Sequence, residues 1–328
     1  MRGLQDARRD SRAPDGGLSP SAAPPEAVVT ACGRFAPSPT GPLHFGSLVA
    51  AVASFLDARA QAGRWLVRIE DLDRPRVIPG MADAHLRTLE RFGLHWDGAV
   101  RYQSQDTERY TTALARLEAV GWLYACACTR TAIAQAGLAG PEGYRYPGTC
   151  RMRSGPATGH AAWRVRVDDT PIVWVDAVQG PQKQALEALC GDFVLRRADG
   201  IIAYQLAVVV DDDAQGVNRV VRGADLLAST PRQIHLQRLL GLPTPAYLHV
   251  PLALDHQGEK LSKRLGAAAV AEGPAGKLLS LALDFLGQRL PPEADRLEPE
   301  ALLGWAIRHW DVRHIPREPG KSAPPLPP

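Results

Sequence analysis

The stretch Gly33-Arg-Phe-Ala-Pro-Ser-Pro-Thr-Gly-Pro-Leu-His-Phe-Gly-Ser47 decides how this 328-residue chain is read. Arg34 and Phe35 end an extended run. Pro37, Pro39, Gly41 and Pro42 then interrupt regular structure, because proline lacks a donor and fixes φ while glycine tolerates unusual angles. Gly46 and Ser47 open a helix with an apolar stripe of Leu48, Val49, Ala51, Val52, Phe55 and Leu56. A strand, a Pro/Gly loop and a helix start make a corner suited to phosphates, since free N–H groups and the positive helix end converge there. His44 stands in that loop, where its ring could reach a phosphate oxygen.

Working outward, Trp65 to Ile69 reads as a buried strand after the Gly63 stop, and it ends in Glu70-Asp-Leu-Asp-Arg-Pro75. Acidic residues at the carboxyl end of such a strand lie where α/β sheets meet ligands. Leu86, Leu89 and Phe92 mark a second helix ended by Gly93, and Asp106 is expected to cap a third that runs towards Gly121. This βαβα alternation predicts an α/β fold with a doubly wound, Rossmann-type parallel sheet.

Cys126, Cys128 and Cys150 cluster in a chain with five cysteines and no export signal, which favours metal over disulfides. Cys32 and Cys190 stand alone and read as small buried hydrophobes. Three thiolates suit zinc, and a closed structural site needs a fourth ligand. Chemistry alone favours a histidine, and His160 is the nearest downstream. Trp163 to Val175 alternates apolar and charged residues and predicts one half-exposed antiparallel strand outside the parallel core. Arg145, Arg151, Arg153, Arg164 and Arg166 gather here, either as a solvated face or as a phosphate footprint for RNA.

The parallel sheet is expected to resume at Phe193 to Arg196, with a further strand from Val217 to Arg222. Arg222 could serve a ligand carboxylate through its planar, two-pronged donors, or form a salt bridge with Asp225. Thr230 is expected to cap a helix over Gln233 to Leu240, and Lys260-Leu-Ser-Lys-Arg264 follows a turn at Asp255 to Gly258.

These words together resemble the class I aminoacyl-tRNA synthetases of the glutamyl and glutaminyl type, over about residues 33–265. PSPTGPLHFGS is similar to their first signature, with His44-Phe-Gly-Ser47 in place of His-Ile-Gly-His; RIEDLDRPR and AYQLAVVVDDDAQGVNRVVRGADLL match as well. KLSKR resembles the second signature, Lys-Met-Ser-Lys-Ser, departing at Leu261 and Arg264. The resemblance implies ATP bound with Mg²⁺ by His44, Gly46, Ser47 and Lys263, with His44, Lys260 and Lys263 in the catalytic step. It implies glutamate held by Arg34, Phe35, Ala36, Pro37, Ser38, Glu70, Tyr204 and Arg222, with Glu70 receiving the ammonium group. It also makes Tyr146, in the Tyr-x3-Cys position, the fourth ligand of one structural zinc beside Cys126, Cys128 and Cys150.

Too little chain follows Lys263 for the anticodon-binding domain of full glutamyl enzymes. The resemblance is therefore to a branch that activates glutamate without tRNA and passes it to queuosine at the wobble position of tRNA(Asp). Two rivals stay open: a minimal enzyme charging the 3′ end of tRNA(Glu) or tRNA(Gln), and a silent zinc-stabilised RNA-binding module. The expected domains are a disordered extension (1–30), a catalytic domain (31–254) with the zinc insertion at about 122–190, the KLSKR loop and a short helical part (255–312), and a disordered Pro-rich tail (313–328).

The balance of 38 basic and 35 acidic residues, a net +3, does not by itself announce a nucleic-acid partner. No apolar run approaches a membrane span, and the arginines near the start are followed by no apolar signal region. A cytoplasmic monomer is expected.

Overall fold

A computed structural model describes residues 30–137, 139–140, 143–152, 160–261 and 269–327. The N-terminal extension, Arg153 and Lys263 with the rest of KLSKR after Leu261 lie outside these residues.

Strand β1 (Cys32–Phe35) runs through the PSPTGP loop into helix α1 (Phe45–Arg59), whose N-cap is His44. Eleven of the fifteen α1 residues are buried, so the helix is enclosed on nearly all sides instead of showing the single apolar stripe expected. Strand β2 (Arg64–Ile69) follows, then α2 (Met81–Arg91), the short β3 (Arg101–Tyr102) and α3 (Glu108–Ala119). Asp106 does not cap α3; the cap position is Thr107.

A different layer begins with β4 (Leu123–Cys126) and α4 (Arg130–Ala136), the latter capped by the Thr129 hydroxyl. A two-stranded ribbon follows, β5 (Ala139–Gly140) and β6 (Gly143–Tyr144). Next come β7 (Ala162–Val165), β8 (Ile172–Asp176), β9 (Gly180–Gln184), the short α5 (Leu186–Leu189) and β10 (Phe193–Arg196). The last third holds α6 (Tyr204–Ala214), β11 (Arg219–Gly223), α7 (Thr230–Leu240), β12 (Ala246–Val250) and β13 (Leu252–Leu254). Helices α8 (Ala275–Phe285) and α9 (Pro299–His309) and strand β14 (Gly320–Ser322) complete it.

Two parallel ladders form the centre: β1-β2-β3, and β11-β12 extended by β8 and β9. Strands β1 and β11 lie side by side, and from them the chain winds outward in both directions. Ligands in such sheets bind beyond the carboxyl ends of the strands at this reversal. Helix α1 covers the junction, packing on β1, β2 and β11 while α8 and α9 close its other side. Phe45 meets Phe285 edge to face at 5.7 Å, joining the start of α1 to α8.

Several expectations are corrected. Trp163 to Val175 is two strands, not one, because Asp168 and Thr170 make a side-chain-bonded turn between them. Strand β7 is the middle of an antiparallel sheet, β10-β7-β4, whereas β8 joins the central sheet beside β12 through the Tyr247–Asp176 pair. The parallel sheet therefore does not resume at Phe193; β10 pairs antiparallel with β7. Thr230 is the first residue of α7, and its hydroxyl accepts from Arg222 instead of capping the helix. The Pro-rich tail, expected to lack structure, carries β14, which pairs in parallel with β13.

Candidate active site

The PSPTGP loop is tied down by backbone bonds. Glu70 N–H donates to the Pro37 carbonyl at 3.0 Å and Ile78 N–H to that of Pro39 at 2.9 Å. Gly41 sits at φ +148°, a conformation only glycine adopts without strain. Gly46 is needed for a different reason. A Cβ there would lie 3.2 Å from the His44 ring, so the absent side chain lets the imidazole settle against the helix start.

Above the carboxyl ends of β1, β2 and β11 lies a cavity of about 640 Å³. Arg34, Phe35, Ala36, Pro37 and Ser38 line one wall, and His44, Gly46 and Ser47 continue it. Glu70, Tyr204, Arg222 and Lys260 complete the set. Sequence segments more than 200 residues apart thus converge on one space; Lys263 alone of the predicted cavity residues lies outside the described residues.

Beneath the cavity is a buried charge network. Arg34 Nε donates to both Asp212 oxygens (3.1 and 3.3 Å), and Arg68 Nη1 donates to Asp212 Oδ1 at 2.8 Å and Gln215 at 2.7 Å. Arg68 Nη2 reaches Glu70 at 3.3 Å. Burial works against the Asp212 charge, but Arg34 and Arg68 outweigh it and hold the carboxyl below its ordinary value. Burial pushes the Glu70 carboxyl up, against the pull of Arg68 and Arg34. Asp211, also raised by burial, accepts from Gln103 and Tyr110, each at 2.8 Å.

Arg222 differs from these two arginines. It is 5% exposed, and its hydrogen-bond partners among the described residues are neutral: His249 Nε2 (3.0 Å), the Tyr204 hydroxyl (3.3 Å), the Leu226 carbonyl (3.3 Å) and Thr230 Oγ1 (2.9 Å). The salt bridge with Asp225 is not formed; Asp225 pairs with Lys260. Lys260 is set by a hairpin in which Asp255 Oδ1 accepts from Gln257 and Glu259 N–H, bridging Leu254 to Lys260.

The cysteines converge as well. The Sγ atoms of Cys126, Cys128 and Cys150 all lie within 4.8 Å of one another. Tyr146 Oη is 3.3 Å from Cys126 Sγ and 3.9 Å from Cys128 Sγ, and it accepts the Cys150 N–H at 2.8 Å. Ligands around a tetrahedral zinc, with bonds of about 2.0–2.3 Å, stand roughly 3.3–3.8 Å apart, and the spacing of the three thiols is compatible with such an ion. Burial resists ionisation of Cys150, yet the Ala127 N–H and the neighbouring side chains bring its thiol down to about 7. His160 is exposed and outside the cluster. The arginines around it are engaged locally. Arg145 binds the Glu187 carbonyl, Arg151 binds Asp192, Arg164 lies on the Tyr146 ring and Arg166 binds the Gly121 carbonyl.

Sequence reasoning missed Arg68, Gln103, Tyr110, Asp176, Asp211, Asp212, Gln215 and His249. For Arg68, Asp176 and His249 a signal existed: a charged or titratable residue inside an otherwise apolar strand, in Leu66-Val-Arg-Ile69, Val173-Trp-Val-Asp176 and Tyr247-Leu-His-Val250. Among the described residues no helix is long and apolar enough to cross a membrane.

Comparison with known proteins agrees with this geometry. Residues 29–278 match the model of class I tRNA synthetases (E and Q), catalytic domain. A glutamyl-Q tRNA(Asp) synthetase of Aromatoleum aromaticum is 53% identical over 89% of this chain and 92% of its own. That of Dechloromonas aromatica is 55% identical over 87% and 96%. Among solved structures, a glutamate-tRNA synthetase from Elizabethkingia anophelis superposes with a TM-score of 0.74 at 24% identity, over 88% of this chain and 67% of its own. That likeness speaks for the class I α/β fold with its parallel sheet. By its family match and its near full-length identity to these relatives, the chain belongs to the glutamyl-Q tRNA(Asp) synthetases, within the class I tRNA synthetases of the E and Q type.

Proposed function

We propose that this protein activates L-glutamate with ATP, without tRNA, and transfers the glutamyl group to queuosine at the wobble position of tRNA(Asp). The observation that carries this reading is the pairing of two buried arginines at one cavity. Arg34 is already bound to Asp212, and among the described residues Arg222 has no carboxylate partner. A substrate carboxylate supplies the missing counter-charge, and Glu70 offers an acceptor for its ammonium group.

In the first step a glutamate α-carboxylate oxygen attacks the α-phosphorus of ATP; the new O–P bond forms as the bond to pyrophosphate breaks, and pyrophosphate leaves. The attacking group is already an anion, so no protein base is required. The protein contributes by aligning two anions and offsetting their charge. His44, the N-terminus of α1 at Gly46 and Ser47, Lys260 and Lys263 take that part, with Mg²⁺ entering as part of the nucleotide substrate. In the second step a queuosine hydroxyl attacks the acyl carbon; the ester bond forms as the acyl–phosphate bond breaks, and AMP departs, its phosphate taking the hydroxyl proton.

Cys126, Cys128, Tyr146 and Cys150 are proposed to hold one structural Zn²⁺, which would brace the loops around β4. The finer organisation follows the same reading: a catalytic body over 31–254 with an insertion at about 122–190, a KLSKR and helical part to 312, and a monomer working in the cytoplasm.

The test has two arms. Glutamate-dependent ATP–pyrophosphate exchange without tRNA is expected, followed by transfer of labelled glutamate to queuosine-containing tRNA(Asp) and not to queuosine-free tRNA(Asp). Labelling of tRNA(Glu) instead would overturn the acceptor, and absence of exchange would overturn the activation.

A further inference from the structure

Arg222 raises a physical question that its neighbours answer. A buried guanidinium needs its N–H groups satisfied, yet a carboxylate bound to it would cancel the charge that draws a substrate. Arg34 and Arg68 both lean on Asp212. Arg222 instead donates through Nε to the imidazole of His249 at 3.0 Å. Accepting that bond requires a lone pair on His249 Nε2, so the ring proton sits on Nδ1. Nδ1 faces Asp176 Oδ2 at 2.5 Å, and both side chains are fully buried. The other Asp176 oxygen accepts the N–H groups of Val178 (3.0 Å), Gln179 (2.9 Å) and His249 (3.2 Å), which fixes the carboxylate.

We propose that Asp176 and His249 are positioning residues for Arg222: Asp176 fixes the imidazole tautomer, and the imidazole orients the guanidinium without neutralising it. The counter-charge is thereby placed one ring away from the arginine, and the cation stays available to a ligand carboxylate in the cavity. Two further contacts belong to the same arrangement. Thr230 Oγ1 accepts from Arg222 Nη2 at 2.9 Å, and the Tyr247 ring stacks on His249 while standing 5.5 Å from the Arg222 guanidinium. Burial, the charge of Arg222 and the loss of water favour the neutral ring, whose pKa is held below its ordinary value despite Asp176. Strand β8 thus carries Asp176 in the central sheet beside β12, the strand of His249.

This role rests on glutamate being the substrate of the cavity. The two amides that resemble imidazole test it separately. Glutamine at position 249 places its amide oxygen near Nε2 and keeps an acceptor for Arg222; asparagine mimics Nδ1, keeps the Asp176 contact and loses the acceptor. In glutamate-dependent pyrophosphate exchange, His249→Asn is expected to raise KM for glutamate about 10-fold or more, the usual consequence of losing a hydrogen bond to a charged group. KM for ATP should stay near wild type, and His249→Gln should retain most of the glutamate affinity. Asp176→Asn, which no longer enforces the tautomer, should also raise KM for glutamate with KM for ATP unchanged, and it carries the test where His249→Asn does not fold. Unchanged glutamate KM in both His249→Asn and Asp176→Asn would overturn the proposal, as would equal impairment by Gln and Asn or parallel losses for ATP. A wild-type protein with no glutamate-dependent exchange would instead overturn the substrate reading itself, and this role with it.

Discussion

A missing Cβ shapes the mouth of helix α1. Alanine at Gly46 would set its methyl 3.2–3.3 Å from the His44 ring, so the imidazole has to move by a few tenths of an ångström. Small displacements of a group that meets developing charge are costly, and Gly46→Ala is expected to slow pyrophosphate exchange by about 10-fold with little change in melting temperature. His44→Ala, which removes the donor altogether, should slow it by about 10²-fold. Arg68 behaves differently. Among the predicted ligand residues it touches Glu70, and its loss leaves Asp212 with Arg34 alone for a cation and takes away the donor to Gln215 Oε1. Removing one member of a buried ion pair costs about 3–5 kcal/mol, so Arg68→Met should lower the urea midpoint strongly. The contrast explains what was legible. The loop residues carry their chemistry in local order, with proline, glycine and histidine at fixed spacing. Arg68 meets Asp212 across 144 positions, and no local pattern announces that meeting.

Elements divide along the same line. Strands β1 and β2, helix α1 and the αL stop of α7 at Gly241 follow from short-range grammar, and the structure holds them where the spacing put them. Apolar–charged alternation did not settle exposure in β8, where Val173 and Val175 are exposed while Ile172, Trp174 and Asp176 are buried, nor could it tell which sheet the strand joins. That choice is made by Tyr247 and Asp176, which meet only after folding. The convergence of Cys126, Cys128 and Cys150 was legible because thiols in this spacing tend to gather on one point. Its energetics are testable. Tyr124, Cys126, Tyr146 and Cys150 form a small core of their own, too small to order the surrounding loops by apolar burial alone. Metal analysis is expected to give one zinc per chain, and a strong chelator should lower the melting temperature and open the β4 to β7 region to protease. Tyr146→Phe should weaken zinc binding while leaving the three thiols titratable; undiminished affinity would remove the phenol from the ligand set.

Taken as a molecule, the protein buries His235 and His249, whose protonation opposes folding. His235 lies on α7 between Trp122 and Phe193, and its Nε2 contacts the Arg166 carbonyl at 2.8 Å. His249 sits in the arginine relay below the cavity. Burial lowers the pKa of both from the ordinary 6.5. The sign follows from linkage: as pH drops below that value the unfolded chain takes up protons before the native protein does, so native stability is full above it and declines below it. Glu70 and Asp211 act in the opposite sense, because burial raises their carboxyls and the native state binds those protons more readily. Comparing variants isolates the histidine contribution. The melting temperature of the wild type should fall as pH is lowered from about 7.5 to about 5.5, and the fall should be shallower in His235→Gln, whatever that variant loses in packing at neutral pH. Activity has a second dependence. Protonation of His249 removes the acceptor for Arg222, and protonation of Glu70 removes the proposed partner of the substrate ammonium, so KM for glutamate should rise on the same acid limb. His235→Gln leaves both groups in place, and its KM for glutamate should therefore keep the wild-type pH profile while its stability profile flattens. Parallel flattening of both curves would mean that acid acts on the site only by loosening the fold.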